Sequence, residues 1–473
     1  MNAVLTLLAL ISCSIIILVV PTLVAPFVLD YGVITVGDTG KAVLLCAALS
    51  SLAGLFSYRQ GANGPFLVKV FIAALLARMI LGTAIFVFHG QEFFGGDAIT
   101  YDVAGAFQLR SWQGDRYYRA LVGHFVDEGG GSGWGMVYLV AAVYGLIGRN
   151  MLAIQFVNAV LGAVTAPIIF LCAQQVFNNF RVSKLAALAV AFYPSLVLWS
   201  SQGLKDGPIV FFLALSIFAT LKLGERISLR YIAVLLCSLF AVLSLRFYVF
   251  YMLSAAIAGS FVVGMRALTA TNFVRQLIVI AMLGLGLTYL GITRYANVQL
   301  QNFGKLEAIQ RSRLDAARSA ESGFGKDVDV STTAGALSAI PLGLLYLLFA
   351  PFPWQLVSLR QSLTLPEMIF WWASVPMLVL GLWFSIRYRL RMISPILSFT
   401  LMLSLAYSVF QGNVGTAYRQ RAQLLVFYFI FVAVGYVLML EKHEEKKRAI
   451  MAERQSVADA SFASTLARSR EQH

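Results

Sequence analysis

Long, unbroken runs of apolar residues divide the chain, and short polar segments separate them. Many of these runs approach the about 20 residues that a helix needs to cross a bilayer. None shows the alternation of apolar and polar residues that the strands of a membrane barrel require. The pattern therefore predicts an all-α, polytopic transmembrane bundle. The apolar segments lie at about 3–29, 41–57, 66–88, 134–148, 151–173, 184–201, 206–224, 229–246, 247–265, 276–293, 336–354, 365–386, 392–410 and 422–440.

Basic residues indicate which helix ends face the cytoplasm, because lysine and arginine are enriched in cytoplasmic loops. All the basic clusters fall on one side if two segments fail to cross: 134–148, which follows a glycine-rich stretch, and 336–354, which prolines interrupt. This predicts about twelve spanning helices with both termini cytoplasmic, a membrane domain over 1–440 and a cytoplasmic tail over 441–473. The clusters are Arg59 with Lys69, Arg181 with Lys184, Arg226 with Arg230, Arg266 with Arg275, Arg387 to Arg391, and Lys442 to Arg448.

Composition agrees with a membrane protein and narrows its partners. The chain is 59% hydrophobic and only 12% charged, and its net charge is +14. In a soluble protein that charge would point to nucleic acid, but here the basic residues flank membrane segments, so membrane lipids are the predicted partners and nucleic acid is not. The four cysteines stand singly in apolar segments, without the spacing of a metal or redox site.

The predicted topology places four polar segments together on the extracytoplasmic face. They are the external loop 89–133, the turn from Ser200 to Asp206, the external loop 294–335 and the turn from Gln411 to Arg421. Ionisable residues at the membrane boundary usually line a polar cavity or a substrate path. These four segments are therefore the candidates for catalytic chemistry.

The first external loop carries two carboxylates directly after an apolar helix. Asp97 follows a pair of glycines, and Tyr101 and Asp102 come four and five residues later. These carboxylates are either aimed into a polar cavity or used to cap an interfacial helix, and a cap needs only one of them. Asp97 is the stronger candidate for catalysis, and Asp102 is a second candidate.

Two further segments carry cations toward the same face. Lys205 stands beside Asp206 at a turn between two helices, where the pair fits either a phosphate site or a snorkelling lysine with a capping aspartate. Arg419 and Arg421 lie at the start of the last helix. They could bind a lipid phosphate of the substrate or anchor the helix to lipid head groups. Arg246 lies between two apolar segments and is a weaker candidate for the same anion site.

These residues resemble motifs of the GT-C superfamily of membrane glycosyltransferases, specifically the branch of protein O-mannosyltransferases and the lipid A aminoarabinose transferase. Gly96-Asp97-Ala98 followed by Tyr101 is similar to the acidic motif that opens the family's first large external loop. The stretch from Tyr193 to Asp206 is similar to the segment that sets a polar residue at an outer helix end. The stretches Pro341 to Trp354, Leu365 to Glu367 and Gly415 to Arg419 resemble members encoded among bacterial polysaccharide genes.

The resemblance implies transfer from a polyprenyl-phosphate-linked sugar donor to a glycan, lipid or protein acceptor, with inversion at the sugar carbon. Asp97 would be the general base, with Asp102 as a second catalytic carboxylate. The family's acidic pair can hold a divalent metal, and Ala98 stands at its second position here, so metal dependence stays open. The donor-phosphate ligands would be Lys205, Arg246, Arg419 and Arg421, supported by Tyr101, Asp206 and Tyr418.

The resemblance also implies a bacterial inner membrane, an extracytoplasmic active site and a role in cell-envelope or exopolysaccharide assembly. Two other classes remain open. An O-antigen ligase or polymerase would use an undecaprenyl diphosphate glycan and would concentrate its chemistry in a large late loop, whereas 294–335 is modest in length. A flippase of lipid-linked sugar would place ionisable residues or broken helices near the bilayer midplane.

Overall fold

The computed structural model describes residues 36–88, 90–94, 96–126, 133–264, 269–319, 322–356 and 358–470, so the predicted first helix at 3–29 lies outside the described part. The described residues form an all-α bundle, as predicted. Its helices are α1 (Val36–Tyr58), α2 (Gly64–Val87), α3 (Asp97–Trp112), α4 (Arg116–Val126), α5 (Trp134–Ile147), α6 (Met151–Phe177), α7 (Phe180–Phe192), α8 (Pro194–Ser200), α9 (Asp206–Glu225), α10 (Leu229–Leu245), α11 (Phe247–Val263), α12 (Ala270–Tyr289), α13 (Ile292–Phe303), α14 (Leu306–Ser319), α15 (Thr333–Phe349), α16 (Leu365–Phe410) and α17 (Val414–Arg470).

Seven of the described helices, α1, α2, α6, α9, α12, α16 and α17, are long and apolar enough to cross a membrane. The pair α7 and α8, bent by 53°, makes an eighth if it counts as one span. The helices α5, α10, α11 and α15 are apolar but shorter, with 14 to 17 residues. A helix of that length is less than about 30 Å long. The polytopic bundle is confirmed, whereas the count of about twelve crossings is not.

Helix α16 is two helices joined at a sharp reversal. It has 46 residues, and the backbone of Arg389 is non-helical, with φ −134° and ψ 15°. The first half runs parallel to α17 and the second half antiparallel to it, so the chain turns back at the basic segment predicted to separate two helices. The contacts are Glu367 with Tyr418 and Met377 with Gly435 in the first half, and Gln411 with Gln420 and Phe399 with Phe427 in the second.

Helix α6 lies at the centre of the bundle and fixes the turn before α9. It is buried along most of its length and packs against α1, α2, α7 and α9. The amide of Asn158, fully buried in this helix, donates to the carbonyls of Gln202 and Leu204 at 2.6 and 2.7 Å. A buried amide that satisfies two loop carbonyls holds that loop in one position, because leaving the carbonyls unbonded in an apolar interior is costly.

The break between α7 and α8 is closed by an arginine from a neighbouring helix. Pro194 has no N–H group, so the carbonyl of Val190 cannot receive its usual helical bond. Arg78 of α2, only 1% exposed, donates to the carbonyls of Val190 at 3.3 Å and Ala191 at 2.7 Å. Its Nε also donates to the hydroxyl of Ser200 at 2.8 Å. Arg78 therefore joins the end of α7 to the end of α8.

The segment around α14 is tied to the turn between α16 and α17. Helix α14 itself is short and rich in charged residues. The guanidinium of Arg313, buried in this helix, donates to the carbonyls of Gln411 and Val328 at 3.2 and 3.0 Å. An isolated β-bridge between Gly323 and Asn413 adds backbone pairing. This segment is thus held beside the start of α17.

Candidate active site

A single open cavity collects residues from all four polar segments predicted to share one face. Its volume is about 1050 Å³. Asp97 comes from the first loop, Lys205 from the turn before α9, Ser322 from the second loop and Arg419 from the start of α17. Arg246 lines the same space. Residues more than 300 positions apart in sequence are therefore neighbours here.

Two carboxylates and two guanidinium groups form one ion-pair network at the cavity wall. Arg419 Nη1 lies 2.5 Å from Asp97 Oδ2, and its Nε lies 2.6 Å from Asp206 Oδ2. Arg246 Nη2 approaches the other oxygen of Asp206 at 3.4 Å. The side chain of Asp206 is 1% exposed, whereas that of Asp97 is 51% exposed. Asp206 therefore holds the cations in place, while Asp97 keeps a free side toward the cavity.

Both carboxylates stand at helix N-termini, which explains why the local sequence places them there. Asp97 is the first residue of α3 and follows Gly96, whose φ of 75° favours glycine. Asp206 is the first residue of α9. The partial positive charge at a helix N-terminus favours a carboxylate. The cap position of α3 is Gly96, and the side chain of Asp97 pairs with Arg419 rather than with the backbone.

Lys205 is an ammonium group in an electropositive, largely desolvated position. Burial, with the added repulsion of Arg246, lowers the pKa of Lys205 from 10.5 to about 8, against the opposing attraction of Asp206. Tyr101 and Gly133 flank it, since a Cβ at Gly133 would lie 3.1 Å from Lys205 Nζ and 3.5 Å from the hydroxyl of Tyr101. An anion bound beside Lys205 would stabilise its charged form.

Arg246 links the network to the last two helices. It lies between α10 and α11 with extended backbone and is 4% exposed. Its Nη1 donates to the hydroxyl of Tyr407 at 3.4 Å, and that hydroxyl donates to Gln423 at 2.8 Å. The weakest of the predicted cation candidates is therefore buried within the network.

The structure does not bring Asp102 or Arg421 to the cavity. Asp102 faces away and accepts hydrogen bonds from the hydroxyl of Tyr144 and the guanidinium of Arg149. Arg421 is fully buried, and its Nη1 donates to the carbonyls of Leu348 and Ala350, at the end of α15, at 3.0 and 2.9 Å. Both residues are engaged in holding helices together. Their predicted catalytic and phosphate-binding roles have no support in this arrangement.

Tyr418 and Glu367 form a second polar spot on the cavity wall. The hydroxyl of Tyr418 donates to Glu367 Oε2 at 2.9 Å, and both residues line the cavity. In the sequence, Glu367 stands out only as part of a stretch that carries the family resemblance. A carboxylate in the first turn of a predicted membrane helix was a signal for it, because such residues rarely face lipid.

Metal ligation has no obvious centre in the described part of the chain. There, no group of three or more histidine, cysteine, aspartate or glutamate side chains could hold an ion. The carboxylates nearest each other across the network, Asp97 and Asp206, are both paired with Arg419.

Comparison with known protein families gives a match to part of the chain. Residues 134–289, about a third of the chain, match the dolichyl-phosphate-mannose-protein mannosyltransferase family. The matched segment runs from α5 to α12 and contains Lys205, Asp206 and Arg246. No curated protein matches the chain. The family match supports a membrane glycosyltransferase of the GT-C type and confirms the resemblance drawn from the sequence motifs.

Proposed function

We propose that the protein transfers a sugar from a polyprenyl-phosphate-linked donor to a hydroxyl acceptor. The reaction takes place on the extracytoplasmic face of a bacterial inner membrane, in cell-envelope or exopolysaccharide assembly. The observation that carries the proposal is Arg419, which reaches the half-exposed Asp97 and the buried Asp206 beside Lys205 and Arg246 in one cavity. A base and a set of cations in one place are what such a transfer needs.

The residues divide the chemistry between them. Asp97 accepts the proton of the acceptor hydroxyl as its oxygen attacks the anomeric carbon, and the bond from that carbon to the phosphate oxygen breaks. The leaving group is polyprenyl phosphate, whose added negative charge is stabilised by Lys205, Arg246 and Arg419. Attack opposite the leaving group inverts the anomeric carbon.

Arg419 has a hydrogen-bonding position left for an anion. Its Nη2 is buried and has no partner among the described residues, although Nε and Nη1 are both paired. A phosphate oxygen can take this position and compete with Asp97 for Nη1, because guanidinium forks onto phosphate as readily as onto carboxylate. Donor binding would then release the base at the moment it is needed.

The direct test is release of polyprenyl phosphate from a labelled lipid-linked sugar by the purified protein in the presence of acceptor. We expect acceptor-dependent release with a new glycosidic bond. A flippase would instead move the labelled lipid intact, and that result would overturn the proposal.

Replacing Arg419 should weaken donor binding. We expect Arg419→Ala to lower affinity for a polyprenyl-phosphate sugar by about 2 to 5 kcal/mol, because the variant loses a desolvated partner of the phosphate. Titration of the donor against protein in nanodiscs measures this. Arg360→Ala is the matched control, since Arg360 is an exposed arginine of the same cavity that lies over the ring of Phe93. Equal donor affinity for Arg419→Ala and the wild type would exclude donor binding by this arginine and mean that it only anchors the helix to lipid head groups.

Activity should depend on the charge of Lys205. This side chain is a cation below its pKa of about 8 and neutral above it, so kcat/KM should fall as pH rises through about 8. Lys205→Arg keeps its charge throughout this range and should remove the alkaline fall. The measurement is the pH profile of kcat/KM for the wild type and the variant. If kcat/KM still falls at alkaline pH in Lys205→Arg, the fall comes from the titration of another group.

A further inference from the structure

Three polar atoms on one wall of the cavity lack partners. Ser195 Oγ, Trp199 Nε1 and Glu367 Oε1 are buried and accept or donate no hydrogen bond of normal geometry within the described residues. The three residues line the cavity and are at most 9% exposed. Folded proteins pair nearly all buried polar groups, so such a cluster calls for a ligand.

The cluster adjoins the anion end of the cavity. The guanidinium of Arg419 lies over the Trp199 ring, 5.7 Å from its centroid. Trp199 in turn contacts Tyr418, with ring centroids 6.3 Å apart, and the Tyr418 hydroxyl binds Glu367. The Ser195 hydroxyl lies close enough to the Glu367 carboxylate to interact with it, but not in the geometry of a hydrogen bond. A ligand whose phosphate meets Arg419 would therefore place its next chemical group against this wall.

The unpartnered atoms specify the chemistry of that group. Trp199 can only donate a hydrogen bond, an ionised Glu367 can only accept one, and Ser195 can do either. A lipid tail would satisfy none of them, and a second phosphate would be repelled by the carboxylate. A sugar ring carries several hydroxyls that each donate and accept, and it fits this mixture.

We propose that Ser195, Trp199 and Glu367 form the subsite that recognises the hydroxyls of the donor's sugar ring. The inference rests on the proposed function and adds to it the residues that select the sugar. A site built to bond substrate hydroxyls discriminates strongly, because a wrong sugar leaves its buried polar groups unpaired. The lipid phosphate is held separately, by the cations near Asp97.

The test compares two probes, undecaprenyl phosphate and undecaprenyl-phosphate-linked mannose or glucose, titrated against the full-length protein in nanodiscs. We expect the wild type to bind at least one sugar-bearing lipid more tightly than the bare lipid phosphate. Ser195→Ala and Glu367→Gln should each weaken binding of the sugar-bearing lipid by about tenfold or more. Their affinity for undecaprenyl phosphate should stay within about twofold of the wild type.

The thermal stability of the Ser195 variant shows whether this residue recognises the sugar or only supports the fold. Removing the unpartnered Ser195 hydroxyl should leave the thermal midpoint unchanged or raise it, because a buried unsatisfied group is lost. Ser216→Ala is the matched control, since its hydroxyl is also buried and unpartnered but lies away from the cavity. It should alter neither affinity.

Each remaining outcome has one meaning. If the wild type binds the sugar-bearing lipids no more tightly than bare undecaprenyl phosphate, or if both variants keep the wild-type preference, the subsite does not exist while the proposed function stands. If the wild type binds neither probe, the proposed function itself fails.

Discussion

Asp97→Asn should reduce sugar transfer by about 10²- to 10⁴-fold, the contribution typical of a general base. The amide keeps the shape of the side chain but cannot take the acceptor's proton. Donor affinity should stay equal or rise, because Arg419 loses a competitor for its Nη1. Transfer assays under donor saturation, together with donor titration, measure the two effects.

The same variant should fold normally, because half of the Asp97 side chain is exposed and exposed ion pairs contribute little stability, about 0 to 1 kcal/mol. Asp102→Asn is an informative comparison, since that carboxylate lies outside the cavity and bonds Tyr144 and Arg149. Its defect should be in stability and not in the chemical step. Full turnover by Asp97→Asn would remove this residue from catalysis and the proposed mechanism with it.

Asp206→Asn should lower the free energy of unfolding by about 3 to 5 kcal/mol. The variant leaves the buried guanidinium of Arg246 without a carboxylate partner, and Arg419 loses one of its two carboxylate partners. The measurement is reversible unfolding in mixed detergent micelles. Loss of activity should follow from loss of the folded protein at moderate temperature.

A surface carboxylate provides the comparison for this prediction. Asp38 also stands near the start of a membrane helix and pairs with Lys41, but the two side chains are 36% and 53% exposed. Asp38→Asn should therefore change stability by less than about 1 kcal/mol. Equal stability of Asp206→Asn and the wild type would show that the network is not held together by this residue.

The helical bundle and the grouping of the polar segments were predictable because apolar length and basic clusters are local signals. The reversal at Arg389, for example, coincides with three arginines that interrupt an apolar run. The number of membrane-spanning helices was harder to predict from the sequence. Helices α10 and α11 have the composition of spans but only 17 residues each, and composition alone does not set a boundary.

The members of two pairs of candidate residues could have been separated by helix geometry. Arg419 and Arg421 are two positions apart on α17, which rotates them by about 200°, so both cannot face one cavity. Asp97 and Asp102, five positions apart on α3, also point in different directions. The structure places one member of each pair in the cavity and the other in a packing contact.

Other contacts were beyond any local pattern. Arg78 meets residues more than 110 positions away, and it does so because Pro194 leaves carbonyls without donors. The sequence shows the proline and the arginine but not that they belong together. Only the packing of α2 against α7 and α8 makes the pairing.

The anchoring of α8 has a consequence for the membrane around the protein. The cavity wall from Ser195 to Lys205 is held by Arg78 of α2 and Asn158 of α6, both within spanning helices. Helices tilt when the hydrophobic thickness of the bilayer differs from their own length. A tilt of α2 relative to α6 would shift one end of this wall against the other. Lipid thickness thereby becomes a variable that acts on the geometry of this cavity.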